Sequence, residues 1–232
     1  MISNKRTARI AGWLYVVAIL TGIFTLRYVP SKIVVWEDPK LNFESIIQHE
    51  SLFRLGIVAE IIGYTAFFLL PIVLYRLLSH VNRSAAITMV SLGVVSVPFS
   101  LANMMYKVNI LTLIHSAESP TSTATSLQAE VLRDLHFYDN GVQIASVFWG
   151  LWLLPFGYLV WRSGFLPKVI GIILMLGCFG YLANFIGSFL SQSYRELGIS
   201  KFVTLPASVG ELAICLWLVT VGVKAKSRPT TQ

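Results

Sequence analysis

Residues 53–77 read FRLGIVAEIIGYTAFFLLPIVLYRL. Between Arg54 and Arg76 the run carries a single charge, Glu60. About 20 consecutive apolar residues of helix cross a bilayer, so this stretch is long enough to span one. Working outward, the same reading recurs five more times. The expected spans are about 9–29, 53–77, 85–114, 138–161, 166–190 and 203–223. Apolar residues make up 55% of the chain and charged residues 12%. Soluble domains carry about a quarter charged residues, so a soluble fold is excluded. The expected fold is all-α: one polytopic membrane domain over residues 1–232 with six transmembrane helices.

The charges between the spans are sided. The N-terminal tail, the second and fourth connections and the C-terminal tail hold Lys5, Arg6, Arg9, Arg76, Arg83, Arg162, Lys168, Lys224, Lys226 and Arg228, and no acid. The other connections hold Glu37, Asp38, Glu44, Glu50, Glu118, Glu130, Asp134, Asp139 and Glu196. Lys and Arg concentrate in cytoplasmic loops, so both termini are expected inside the cell. The formal charge of +7 is then a topology signature, and nucleic acid is excluded as a partner. The expected partner is the lipid bilayer, with a small-molecule or lipid ligand besides. The basic N-terminus before Ile10–Leu26 reads as a retained first helix rather than a cleaved signal, because the apolar run is long and no small-residue cleavage motif follows. Cys178 and Cys215 fall inside spans and read as packing residues, with no metal and no cofactor expected.

Several local features follow from composition. Pro71, Pro98 and Pro155 lie inside spans, where each removes a backbone hydrogen bond and predicts a kink. The tryptophans mostly fall near span ends, where indole prefers the headgroup level. Asn42–Glu50 has a capping residue and an apolar face, predicting a short surface helix that starts at Asn42. Ser119–Thr125 reads as a loop. After it, Leu127, Val131, Leu132 and Leu135 recur at helical spacing into the fourth span.

Several stretches carry a resemblance. They are Arg9-Ile10-Ala11-Gly12-Trp13-Leu14-Tyr15, Glu50-Ser51-Leu52-Phe53-Arg54-Leu55-Gly56, Leu74-Tyr75-Arg76-Leu77-Leu78, Tyr158–Pro167 and Gly210-Glu211-Leu212. In this order along the chain they resemble DUF4386, a family of bacterial six-helix membrane proteins with no assigned activity. The resemblance implies fold and a bacterial cytoplasmic-membrane location, and says nothing of substrate. It also implies an acid, more often Asp, at the position of Glu60, and a carboxylate at the position of Asn184, where this chain has lost the charge.

Ionisable groups within a span are costly and turn toward protein or a cavity. Glu60, Lys107 and Glu211 qualify, at depths that agree within about two helical turns counted from the span ends. Each lies on a face of small or polar residues: Gly56/Glu60/Gly63, Gly93/Ser96/Ser100/Asn103/Lys107, and Ala207/Glu211/Cys215. Gly177, Gly180, Asn184, Gly187 and Ser191 form another such stripe. Small residues let helices approach closely and polar ones bond across. The expectation is one polar centre in the outer half of the bundle, built from Glu60, Asn103, Lys107, Asn184 and Glu211. It serves as a packing lock, or as a pocket open to the outside that binds or transports a small polar or amphipathic ligand. Two acids against one base leave a proton to be retained or a cationic ligand to be taken. A further alternative is a membrane-embedded hydrolase using His136, Asp139 and a buried Glu, although no metal or nucleophile motif accompanies them.

Overall fold

The computed structural model describes residues 2–116, 124–191, 194 and 198–223. Among them every regular element is helical. They are α1 (Ile2–Ile23), α2 (Val29–Ile33), α3 (Pro39–Gln48), α4 (Glu50–Leu78), α5 (Arg83–Asn103), α6 (Met105–Ser116), α7 (Ala124–Leu151), α8 (Leu153–Arg162), α9 (Lys168–Leu190), α10 (Ile199–Val203) and α11 (Leu205–Thr220). Five helical runs are long and apolar enough to cross a membrane: Asn4–Ile33, Glu50–Leu78, Arg83–His115, Thr125–Arg162 and Lys168–Leu190. The sixth expected span is the shorter apolar helix α11.

Helix interruptions fall where the chain loses backbone donors, with one exception. A π-helical turn, Phe24–Tyr28, links α1 to α2 just ahead of Pro30, which has no N–H to give the turn before it. Trp152 breaks α7 from α8 three residues before Pro155. Pro71 and Pro98 sit inside unbroken helices. Met104 parts α5 from α6 without any proline nearby. The expected loop over 119–125 lies outside the described residues up to 123, and α7 begins at Ala124.

The chain divides into two compact units, and the division cuts helices in mid-course. Unit 1 comprises Met1–Val16, Ala66–Ser96 and Ser146–Gln232; unit 2 comprises Val17–Thr65 and Val97–Ala145. Of the acids, all but Glu196 and Glu211 fall in the segments of unit 2.

Unit 2 has an apolar cluster at the acid-bearing ends of its helices. Val29, Ile33, Phe43, Ile46, Phe53, Ile57, Met104, Ile110, Ile114, Leu127, Val131 and Leu135 pack together. The helical spacing read from Leu127 to Leu135 is thus the face that α7 buries. Helix α3 joins this cluster through Phe43 and Ile46 while leaving Leu41 and Ile47 exposed. Its start differs from the expectation. Asp38 is the cap, accepting from the Lys40 and Leu41 N–H groups at 2.9 and 3.0 Å. Asn42 is instead fully buried: its side-chain oxygen accepts from Val35 N at 2.9 Å and its amide donates to the Val35 carbonyl. The Val35 carbonyl also accepts from Asp38 N at 3.3 Å, so the Val35 N–H is the group that relies on this side chain. Asn42→Ala is expected to cost about 1–2 kcal/mol, since it removes the side chain that ties the Val35 N–H to α3. The change would be read as a lower Tm and as faster proteolysis within residues 34–48.

Unit 1 is assembled on backbone approaches that only glycine permits. A Cβ on Gly157 would lie 2.5 Å from the Gly171 carbonyl, and one on Gly171 would lie 2.6 Å from Gly157 O and from Trp161 N. Helices α8 and α9 therefore touch main chain to main chain. Gly177 meets the Ala207 Cα in the same way and Gly180 meets the Val203 carbonyl, which docks α9 on α10 and α11. Such contacts supply the dispersion that holds helices together where hydrocarbon replaces water. Beside them Trp152 is fully buried, stacked on Phe156 at 5.1 Å, edge-on to Phe67 at 5.1 Å and 6.0 Å from the Tyr15 ring. This indole serves the core rather than a headgroup interface, and its N–H has no acceptor among the described residues.

Candidate functional site

The five residues expected to form one polar centre are apportioned between the units. Glu60, Asn103 and Lys107 belong to unit 2, and Asn184 and Glu211 to unit 1.

In unit 2, α4 and α6 run antiparallel and bring Glu60 to Lys107. Lys107 Nζ donates to Glu60 Oε2 at 2.7 Å. The other carboxylate oxygen accepts from Tyr138 Oη at 2.6 Å and Tyr64 Oη at 3.1 Å. The ammonium also lies 4.0 Å from the centroid of the Tyr138 ring, a cation–π distance. Both charged residues are buried, 3% exposed for Glu60 and 5% for Lys107. Asn103 donates to the Tyr138 carbonyl at 2.9 Å, and its side chain fills the place a Cβ on Gly141 would take. A fixed seat for Tyr138 follows, so α5, α6 and α7 hold the phenol that holds Glu60. The small-residue face of α4 packs as expected, Gly56 on Val29 and Gly63 on Thr21. The result is an internally neutral knot in which the carboxylate and the ammonium are each other's partner.

Tyr138 and Tyr64 were not legible as partners from composition. Tyr64 had a signal, since it stands one turn after Glu60 on the same helix face. A second buried acid, Asp134, accepts from Asn109 Nδ2 at 2.6 Å on the next turns of α6 and α7. At the start of α4, Arg54 donates to Glu50 at 2.6 Å and meets His115 Nε2 at 2.9 Å. The hydrolase candidates are engaged elsewhere: the His136 ring lies 5.0 Å from the Trp36 ring, and Asp139 accepts from Gln143 at 2.8 Å. Among the described residues no three His, Cys, Asp or Glu side chains gather as metal ligands would.

In unit 1, Glu211 on α11 accepts from Tyr15 Oη at 3.0 Å, and Tyr181 is a second hydrogen-bonding partner. One turn further, Cys215 lies with its sulfur 3.7 Å from the Gly12 carbonyl, so α1 and α11 are clasped at two levels. Among the described residues Glu211 makes no ion pair. The helix register sets its depth. Gly210 faces Ile173 and Leu174, Gly177 faces Ala207 and Gly180 faces Val203. Glu211 is thus level with the first turns of α9, toward Lys168. Asn184 lies some eleven residues further along α9, roughly 16 Å away at 1.5 Å per residue, so the two do not share a level. The Asn184 side-chain oxygen is buried and has no donor among the described residues.

The family described as "Domain of unknown function (DUF4386)" matches residues 10–222. The chain belongs to this family. The match runs from the first span through α11, so both Glu60 and Glu211 lie within the DUF4386 region. An uncharacterised protein of Archaeoglobus fulgidus is 28% identical over 93 residues, which is 40% of this chain and 53% of that protein. The chain therefore spans about half the length of this relative. No solved structure matches the chain.

Proposed function

We propose that this DUF4386 protein is a six-pass protein of a bacterial plasma membrane with both termini cytoplasmic. It binds or moves a small polar or amphipathic ligand at the Glu211 carboxylate of unit 1. The sided charge supports the topology, because exposed Lys5, Arg6, Arg9, Arg76, Arg83, Arg162 and Lys168 all belong to unit 1. The run from Ile199 to Thr220 supports a sixth pass, since α10 adds the length that α11 lacks.

One contrast carries the ligand reading. The two in-span acids differ in what surrounds them: Glu60 has a cation at 2.7 Å, whereas Glu211 has phenol hydroxyls and, among the described residues, no cation. A charged or charge-bearing group left uncompensated inside a span marks a functional position. The Glu60 knot is the packing lock, and Glu211 is the group left over to receive something. Glu211→Gln keeps the shape and the hydrogen-bonding capacity of the site. It is expected to melt close to wild type while losing the Tm shift that C12 amphiphiles, screened as positive, neutral and negative members in nanodiscs, produce on the wild-type protein. A shift of wild-type size in Glu211→Gln would end this assignment.

A further inference from the structure

We propose that the α4–α5 and α8–α9 connections of unit 1 together hold the headgroup of an anionic phospholipid, with Arg76, Arg83, Arg162 and Lys168 supplying its counter-charge. This goes beyond the Glu211 reading and does not depend on it.

The place is set by a ring contact. His80 of the α4–α5 connection stacks on Phe165 of the α8–α9 connection, with centroids 5.7 Å apart and planes inclined by 19°. Arg76 and Arg83 stand four residues before and three after His80, and Arg162 and Lys168 stand three before and three after Phe165. One stack therefore gathers four bases from two connections. Both connections are short and internally bonded. The Asn82 side chain accepts from Ala85 N at 3.0 Å, which fixes the start of α5. The Ser163 hydroxyl donates to the Val160 carbonyl at 2.8 Å and accepts from Leu166 N at 3.1 Å, and Gly164 takes the left-handed conformation of the turn, with φ 73°. The base-bearing backbone is thus set before any ligand arrives.

The class follows from charge that the protein leaves unanswered. All four bases are exposed. The segments that carry them, 66–96 and 146–191, hold no acid. Every ion pair among the described residues lies in unit 2. Arg83 and Lys168 also begin α5 and α9, where the helix dipole adds to their positive potential. An anion relieves such a gathering, and the guanidinium fork matches phosphate oxygens. The apolar neighbours favour a lipid over a dissolved phosphate. Trp161, beside Arg162, is 39% exposed; Val169, beside Lys168, is 67% exposed; Ile87, one turn after Arg83, is 49% exposed. Indole settles at the headgroup level of a bilayer, and basic groups at that level attract anionic headgroups. A phospholipid seated here meets bases with its phosphate and apolar side chains with its tails.

The test titrates full-length protein in a maltoside detergent with three probes: dioctanoyl phosphatidylglycerol, dioctanoyl phosphatidylcholine and inorganic phosphate. Phosphatidylglycerol is expected to bind saturably and to raise Tm, and the other two are expected to do neither. Arg162→Gln combined with Lys168→Gln should weaken phosphatidylglycerol binding by about tenfold or more, the loss of charge-assisted contacts, while the lipid-free Tm stays close to wild type. Lys32→Gln combined with Arg133→Gln removes the same formal charge from exposed positions of unit 2 and should bind as wild type does. His80→Ala and Phe165→Ala keep all four bases and break the stack. Each should weaken binding by about threefold or more through lost pre-organisation, and Phe165→Tyr should not. An equal loss in the unit 2 variant reduces the effect to net charge and overturns the site. Wild-type affinity in both stack variants overturns the joining of the two connections into one site. Phosphatidylcholine binding as tight as phosphatidylglycerol, or inorganic phosphate binding that needs Arg162 and Lys168, overturns the anionic lipid as the occupant. Absence of saturable phosphatidylglycerol binding overturns the whole proposal.

Discussion

Replacing Glu60 with alanine is expected to destabilise the protein by about 3–5 kcal/mol, the cost of leaving one member of a buried ion pair without its counter-charge. Three groups would lose their acceptor at once: the Lys107 ammonium and the hydroxyls of Tyr64 and Tyr138. Lys107 cannot reach water by rotating, because the residue is almost wholly enclosed. The same argument gives the double variant its sign. Glu60→Leu with Lys107→Met removes both charges and keeps the volume, and apolar replacement of a complete buried pair is often neutral or stabilising. Thermal unfolding of the two single variants and the double variant in one detergent measures the coupling. A double variant as unstable as the sum of the singles would show that the pair is not a unit. The lock reading of unit 2 would then fall.

The other large effect is steric. Gly171→Ala is expected to cost about 1–3 kcal/mol, and Gly171→Val to prevent accumulation of folded protein, because overpacking here cannot be relieved by a side-chain rotation. The atoms in the way are main chain, Gly157 O and Trp161 N, each 2.6 Å from where the new Cβ would stand. Relief requires α8 and α9 to separate, which forfeits the close approach along their whole contact. Gly22 is the internal comparison. Nothing lies within 4 Å of a Cβ placed there. Gly22→Ala should therefore gain about 0.5–1 kcal/mol from helix propensity alone. Size-exclusion profiles and Tm values of the three variants check both halves of the contrast. Equal effects at positions 22 and 171 would refute the main-chain contact.

Depth was legible in the sequence and direction was not. Counting from span ends put Glu60 and Lys107 at compatible levels, and they do meet. Asn184 was joined to Glu211 through its stripe of small and polar residues, yet the glycine contacts of α9 set the two on different turns. Span ends are uncertain by a turn, and small-residue stripes say that a face is packed without saying against which helix. The phenols were missed for the same reason. Tyr15, Tyr138 and Tyr181 come from helices remote in sequence, and an aromatic residue in an apolar run looks like any other packing group. Asp38 takes the capping role expected of Asn42 because both are good capping residues, and only burial distinguishes the one that caps from the one that anchors.

The apolar cluster of unit 2 has a thermodynamic consequence of its own. Its members on α3, Phe43 and Ile46, lie in a connection between spans, flanked by Asp38, Lys40 and Glu44. Charged neighbours of that density belong in an aqueous layer. Water exclusion can act there, whereas between helices bathed in lipid it cannot. This protein therefore carries two kinds of cohesion, and they answer to temperature differently. Release of the α3 cap exposes hydrocarbon to solvent and carries a positive heat-capacity change, so cooling loosens it. The glycine seams of unit 1 have no such term.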